Sequence, residues 1–253
     1  YSPLDALTVA AENPVKQVVF LAVGFETTAP TEAAAVLAAE AQGIRNFFLF
    51  SAQKLVPPVM HALLDGGETH VDGFLLPGHA SVVTGTRVFD FLAADYHIPG
   101  VVGGFQPLEI LHAIHRIIRQ TAEGAARIEN AYESVVRTEG NPTALAVIDR
   151  VYEPAAAAWR GLGVIPASGL AMREEYAQYD FARVRPLSIE TRTEGRRGCR
   201  CGEVLRGAIL PKDCGLFGKA CVPEHAVGPC MVSVEGTCAA WYKYGGGRFR
   251  YGA

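Results

Sequence analysis

The order strand, loop, helix is written four times over the first half of this sequence, and that repetition leaves few folds open. Val18-Val19-Phe20-Leu21-Ala22-Val23 is a continuous apolar run of the kind found in strands buried on both faces. It stops at Gly24-Phe25-Glu26-Thr27-Thr28-Ala29-Pro30, and an alanine-rich helix follows, with Pro30 in its first turn and Glu32 beside it to complement the dipole. Phe47 to Phe50, Gly73 to Leu76 and Val101-Val102 repeat the pattern, each leading through a polar or glycine-rich loop into helical spacing. Parallel strands with right-handed crossovers satisfy this order, so the expected class is α/β, a doubly wound, mainly parallel sheet with flanking helices. Such folds take ligands beyond the carboxyl ends of their strands. Glu26, Thr27, Thr28, Gln53, Lys54, His79, Ser81 and Gln106 occupy those loops and are the expected lining of a ligand crevice. Thr28, Ser81 and Glu109 also fit as helix-start residues, with Ser81 capping a helix that runs to about Asp95, and His79 fits as a structural hydrogen-bonding group.

Helical patterns continue beyond the fourth unit. They cover Ile128 to Val136, then Thr143 to Tyr152 with Asn141-Pro142 as cap and first turn, then Ala155 to Arg160 after a break at Pro154. Gly161 to Pro166 reads as a turn and a short extended piece, Arg173 to Gln178 as a short charged helix, and Arg183 to Arg197 as an arginine-rich connector. The expected division is an α/β domain over 1–165, a connector over 166–198 and a small C-terminal lobe over 199–253.

All six cysteines lie in that last part, at 199, 201, 214, 221, 230 and 238. No pair has the two-residue spacing of a zinc knuckle or ribbon, which argues against a standard structural zinc site. Gly202, Pro211, Gly215, Gly218, Pro223, Gly228, Pro229 and Gly236 keep the backbone turning, and turning backbone presents free N–H groups to the sulfurs of an anionic cluster. An iron–sulfur site, a three-disulfide staple and zinc all remain open on spacing alone.

Composition narrows the partners. With 253 residues and 49% hydrophobic content the chain can build a core without covalent staples. A net charge of −3, with no basic run beyond Arg196-Arg197, speaks against nucleic acid and anionic membrane. The longest apolar run is far too short for a bilayer, no secretory signal opens the chain, and a cytoplasmic location with reduced thiols is expected. G-x-G-x-x-G and P-loop motifs are lacking.

Four segments together resemble the HypD family of [NiFe]-hydrogenase maturation proteins. They are G-F-E-T-T-A-P at Gly24 to Pro30, P-G-H-A-S at Pro77 to Ser81, G-F-Q-P-L at Gly104 to Leu108, and the cysteine segment. The last reads C-G-E-V-L from Cys201, P-x-x-C-x-x-F-G-x-x-C-x-P from Pro211 and G-P-C-M-V-S-V-E-G-T-C-A-A-W-Y-K-Y from Gly228. The resemblance implies a [4Fe-4S] cluster on Cys199, Cys214, Cys221 and Cys238, with Cys201 and Cys230 as a redox-active pair. It implies a scaffold more than a turnover enzyme, working with a HypC-type small chaperone and a HypE-type cyanide donor on a transient Fe(CN)2CO precursor. An arrangement like that of ferredoxin:thioredoxin reductase, and hence a disulfide reductase, is the alternative it implies. The family's C-G-x-H-x-H motif and C-x-x-C pair do not occur here, so the iron-cyanide site is missing from this sequence. Because the chain opens on Tyr1 rather than Met, a longer protein is expected to precede it. Ala80 and Gln106 stand where the family favours valine and often glutamate, and the latter removes one carboxylate from the crevice.

Overall fold

The computed structural model describes residues 2–66, 69–186 and 198–245. In chain order the elements are α1 (Pro3–Glu12), β1 (Val18–Ala22), α2 (Ala29–Ala41), β2 (Phe47–Ser51), α3 (Val56–Leu64), β3 (Phe74–Pro77), α4 (Gly78–Thr84), α5 (Asp90–Ala94) and β4 (Gly100–Gly103). Then come α6 (Pro107–Ala122), β5 (Ile128–Asn130), α7 (Pro142–Val151), β6 (Tyr152–Trp159), β7 (Gly163–Met172) and α8 (Phe181–Val184), and finally α9 (Cys201–Leu205), α10 (Pro229–Val232) and α11 (Thr237–Tyr244). They pack into two compact units. One comprises Tyr1–Val59, Asp72–Ala157 and Pro166–Ser188; the other comprises Met60–Val71, Ala158–Ile165 and Ile189–Ala253.

The α/β class with parallel strands and flanking helices is borne out. Among the described residues the parallel strands divide between two sheets. β1 and β2 pair in parallel with Val18 opposite Phe47, and β3, β4 and β5 pair in parallel with Phe74 opposite Gly100 and Gly100 opposite Ile128. As an outer strand, β1 leaves Leu21 66% exposed, although its sequence reads as buried on both faces. The core of the first unit is filled by the alanine face of α2 with Phe47, Leu49, Val151, Tyr152, Met172 and Tyr179. Asn46 holds the entry to this core. Its amide donates to the carbonyls of Ala10, Asn13 and Lys16 at 2.9, 3.1 and 2.8 Å and so ties the end of α1 to the start of β2.

Four expectations are corrected. The helix expected over Ala155 to Arg160 is strand as far as Trp159, with Arg160 in the turn: β6 pairs with β7, and its burial alternates with period two, so pairing overrides the helical propensity of four alanines. Ile128 to Val136 is the short strand β5 followed by turns. The helix expected from Ser81 to Asp95 begins at Gly78 and stops at Thr84. Gly85 adopts a φ of +80° there, and a Cβ on it would lie 2.2 Å from the Thr138 carbonyl oxygen. Arg173 to Gln178 becomes a two-turn 3-10 helix over Glu174–Tyr179 that buries Tyr176 and Tyr179. Asn141 caps α7 as expected, its Oδ1 accepting from the Ala144 N–H at 3.1 Å. The part of the arginine-rich connector from Leu187 to Arg197 lies outside the described residues. Among the described residues no helix is long and apolar enough to cross a membrane.

Candidate functional site

Short helices separated by glycine and proline fold the C-terminal segment back on itself until five of its six cysteines share one apolar interior. Cys201, Cys221, Cys230 and Cys238 pack with Val204, Met231 and Ala239, and Cys199, Leu216, Phe217 and Val227 lie against them. All six thiols are free; five are buried and Cys199 is half-buried. Two glycines make room. A Cβ at Gly228 would fall 2.5 Å from Cys199 Sγ, and one at Gly236 would fall 2.4 Å from the Cys230 carbonyl oxygen. The Val227 N–H donates to Cys221 Sγ at 3.3 Å.

Within this interior Cys230 is central. Its Sγ is 3.0 Å from Cys238 Sγ, and its side chain also hydrogen-bonds with that of Cys201. That second contact, and then burial, push the Cys201 thiol far above the ordinary range. Burial raises Cys199 and Cys238 as well, and each feels the charges of Cys201, Cys214 and Cys221. Cys201 thus interacts with Cys230, while Cys214 and Cys221 each act on both Cys199 and Cys238. Thiols raised in this way stay protonated until a strong positive charge displaces the protons.

The donor set suits a [4Fe-4S] cluster. It consists of unpaired, buried sulfurs in an apolar pocket with at least one backbone N–H aimed at sulfur. Among the described residues no three of His, Cys, Asp or Glu close on a single point as ligands of one ion would. A cubane asks for something else, one thiolate on each of four separate iron corners.

The strand-end loops of the first unit build a second polar group. The Gln53 side-chain amide donates to Thr28 Oγ1 at 2.7 Å and to both Glu32 oxygens at 2.8 and 2.7 Å, while its own Oε1 has no hydrogen-bond partner. Thr28 thus turns to Gln53 instead of capping α2, and a Cβ at Gly24 would strike its hydroxyl at 2.3 Å. Glu26 accepts from the Val56 N–H at 2.7 Å through Oε1. Thr27 is exposed beside it. His79 is exposed and stacks on Phe105, ring centroids 3.9 Å apart. Ser81 is fully buried, and its hydroxyl donates to the Pro77 carbonyl at 2.8 Å from inside α4, so it neither caps that helix nor opens onto the loops. Glu109 proves to be a helix-start residue, accepting from the Gln106 N–H at 3.0 Å.

Glu26 is 4% exposed, and its Oε2 has no partner. It lines a largely apolar cavity of about 340 Å³ with Leu55, Pro58, Leu145, Ile148 and Tyr152, whose own buried hydroxyl is also unpartnered. Burial raises the Glu26 carboxyl above the usual range, so the folded chain keeps its proton at pH values where the unfolded chain has lost it. The stability this provides is present in acid and disappears as pH rises through the raised value. Glu26→Gln is therefore expected to match the parent's thermal midpoint below about pH 4 and to exceed it by roughly 3–5 °C at pH 8. Thermal melts over that range check this; parallel curves for the two proteins would contradict it.

Sequence reasoning missed three of these features. Glu32 reads as a dipole-complementing residue but is buried under Gln53. Tyr152 carries no local signal, since its burial depends on the β7 segment. Arg206 follows α9 as an ordinary polar residue, yet its Nε is buried without a partner.

Comparison with known proteins agrees with the pattern of motifs. The HypD family, described as "Hydrogenase formation hypA family", matches residues 1–245. A "Hydrogenase expression/formation protein HupD" from Azotobacter chroococcum mcd 1 is 43% identical over 251 residues, covering 97% of this chain and 66% of its own length. A "Hydrogenase maturation factor HypD" from Rhodobacter capsulatus is 45% identical over 252 residues (98% and 67%), and one from Escherichia coli K12 is 42% identical over 246 residues (96% and 65%). The chain spans about two thirds of the length of the curated relatives it matches.

Proposed function

The chain belongs to the HypD family, and from that membership we propose that it serves [NiFe]-hydrogenase maturation as a redox-capable scaffold. Cys199, Cys214, Cys221 and Cys238 would hold a [4Fe-4S] cluster, and Cys201 and Cys230 would form the dithiol. The observation that carries this reading is the packing of five unpaired cysteines in one apolar interior, with the buried, unpaired Cys214 close enough to act on Cys199 and Cys238 and with Cys201 interacting with Cys230. When bound, the cluster supplies one-electron chemistry at low potential. The residues of the chain do the rest. Val227 and the apolar wall of Leu216, Phe217 and Met231 keep water from the sulfurs. Cys201 and Cys230 can close to a disulfide by releasing two electrons and two protons, and reopen by taking them back.

The crevice belongs to the same proposal. Glu26, Thr27, Thr28 and His79 would face cargo or partner, with Ser81 supporting the loop from within. The Fe(CN)2CO group is cargo, and we assign no residue of this chain to holding it, because no cysteine precedes Cys199. HypC-type and HypE-type proteins are the proposed partners.

The Cys201–Cys230 contact serves a ferredoxin:thioredoxin reductase-like disulfide reductase equally well. Anaerobic co-purification separates the two readings. The scaffold retains tagged HypC-type and HypE-type homologues in stoichiometric amount; the reductase retains neither and reduces a protein disulfide catalytically.

A further inference from the structure

Cys201 is 2% exposed, so any sulfur that exchanges with it must reach it through an opening in the second unit. An open pocket of about 260 Å³ lies beside it, lined by Ala62, Leu63, Gly161, Leu162, Gly202 and Arg206. Gly202 is the next residue in the chain, and a Cβ added at Gly161 would stand 3.9 Å from the Cys201 Cβ, in ordinary contact. Gly161 holds a φ of +87°, and a Cβ at Gly202 would come within 3.3 Å of the Gly161 carbonyl oxygen, so both positions stay bare, with Pro229 and the Cβ of Cys201 packed behind Gly161.

The pocket is also cationic. Arg206 Nε is buried with no hydrogen-bond partner, and among the described residues its guanidinium makes no ion pair. Its backbone is fixed, with the carbonyl accepting from the His70 N–H at 3.1 Å. The neighbouring carboxylate, Glu203, is already engaged by Arg200 through Nε at 2.8 Å and through Nη2. Arg206 also acts electrostatically on Glu203, but it makes no ion pair with it, and a half-buried guanidinium lining a small-walled pocket suits a carboxylate, because a planar fork and a carboxylate match in charge and geometry.

We propose that this pocket binds the carboxylate of an acidic residue flanking a partner polypeptide's reactive sulfur, and so presents that sulfur to Cys201. The inference deepens the dithiol reading above and rests on it for its purpose, though not for the pocket's chemistry. In the exchange Cys201 attacks one sulfur of the partner's disulfide, and its proton passes to the other sulfur, which leaves as a thiol. Cys230 then attacks the Cys201 sulfur and frees the second. The partner gains two electrons and two protons, and the chain gains a Cys201–Cys230 disulfide.

The test uses two small disulfides on the isolated chain under anaerobic conditions, the dicarboxylate dithiobis(nitrobenzoate) and the neutral dithiodipyridine, with reaction at Cys201, as the mixed disulfide or as the Cys201–Cys230 disulfide, read by peptide mass mapping. The net charge of −3 disfavours the anionic reagent at long range, so a preference for it reports a local site. Arg206→Gln is expected to lower the anionic-to-neutral rate ratio at Cys201 about fivefold or more, with Arg206→Lys restoring part of it and the neutral rate unchanged. An unaltered ratio overturns the proposal. Should the variant fold poorly, the parent chain decides alone: glutarate must slow neutral labelling of Cys201 saturably while glutaramide does not, and equal effects overturn it. Stoichiometry judges the dithiol separately. Two reagent halves released per Cys201 consumed, with Cys201 recovered joined to Cys230, show Cys230 closing the disulfide, whereas one half released with Cys201 still carrying the other shows that the pair reading fails while the pocket stands.

Discussion

Cys214→Ala is expected to leave the chain with almost no cluster iron, a loss of about tenfold or more against the parent under identical anaerobic handling. Cys214 is buried and shares an electrostatic neighbourhood with Cys199, Cys221 and Cys238. Alanine there offers no lone pair to take the place of the thiolate. One iron corner would lack a protein ligand, and a cubane bound by three thiolates is open to solvent and oxygen. Iron per chain and the visible sulfur-to-iron absorption are the readouts, with far-UV circular dichroism to show that the secondary structure persists. A variant that keeps its iron would remove Cys214 from the ligand set.

Cys230→Ala is expected to do the opposite: iron stays near the parent level, and the two-electron thiol–disulfide wave is lost. The contact with Cys201 makes this informative beyond simple deletion. Since the hydrogen bond with Cys230 is the chief cause of the raised Cys201 thiol, its removal should bring Cys201 down toward the ordinary range, and alkylation of Cys201 should quicken at a given pH. Redox titration with thiol counting measures the couple, and the pH dependence of alkylation measures the release. Cys230 also lies 3.0 Å from Cys238, so loss of iron in this variant is the outcome to watch for. It would place Cys230 among the ligands and dissolve the division into quartet and pair.

Particular residues show why some of this could be read early and some could not. The strands β1 to β4 announce themselves as apolar runs closed by glycine-rich loops, and Asn141-Pro142 announces the start of α7, because runs and caps are local signals. The cysteines are equally plain as a group. Ala155 to Arg160 misleads because alanine favours helix when alone, and only pairing with β7 makes it strand as far as Trp159. Gly85 ends its helix by meeting Thr138 more than fifty residues away, a close approach no local pattern carries. Ser81 reads as a cap yet spends its hydroxyl inside α4. Arg206 looks like any surface arginine until Gly161 and Leu162 are folded beside it. Which sulfur meets which is likewise a property of folded distance, not spacing.

The account stands on iron and acid-labile sulfide bound by the C-terminal cysteines. Quantifying both, with zinc, in the anaerobically purified chain tests it most directly. About four iron and four sulfide per chain is the predicted result; stoichiometric zinc in their place, or a chain free of both metals with its six cysteines joined in disulfides, would contradict it.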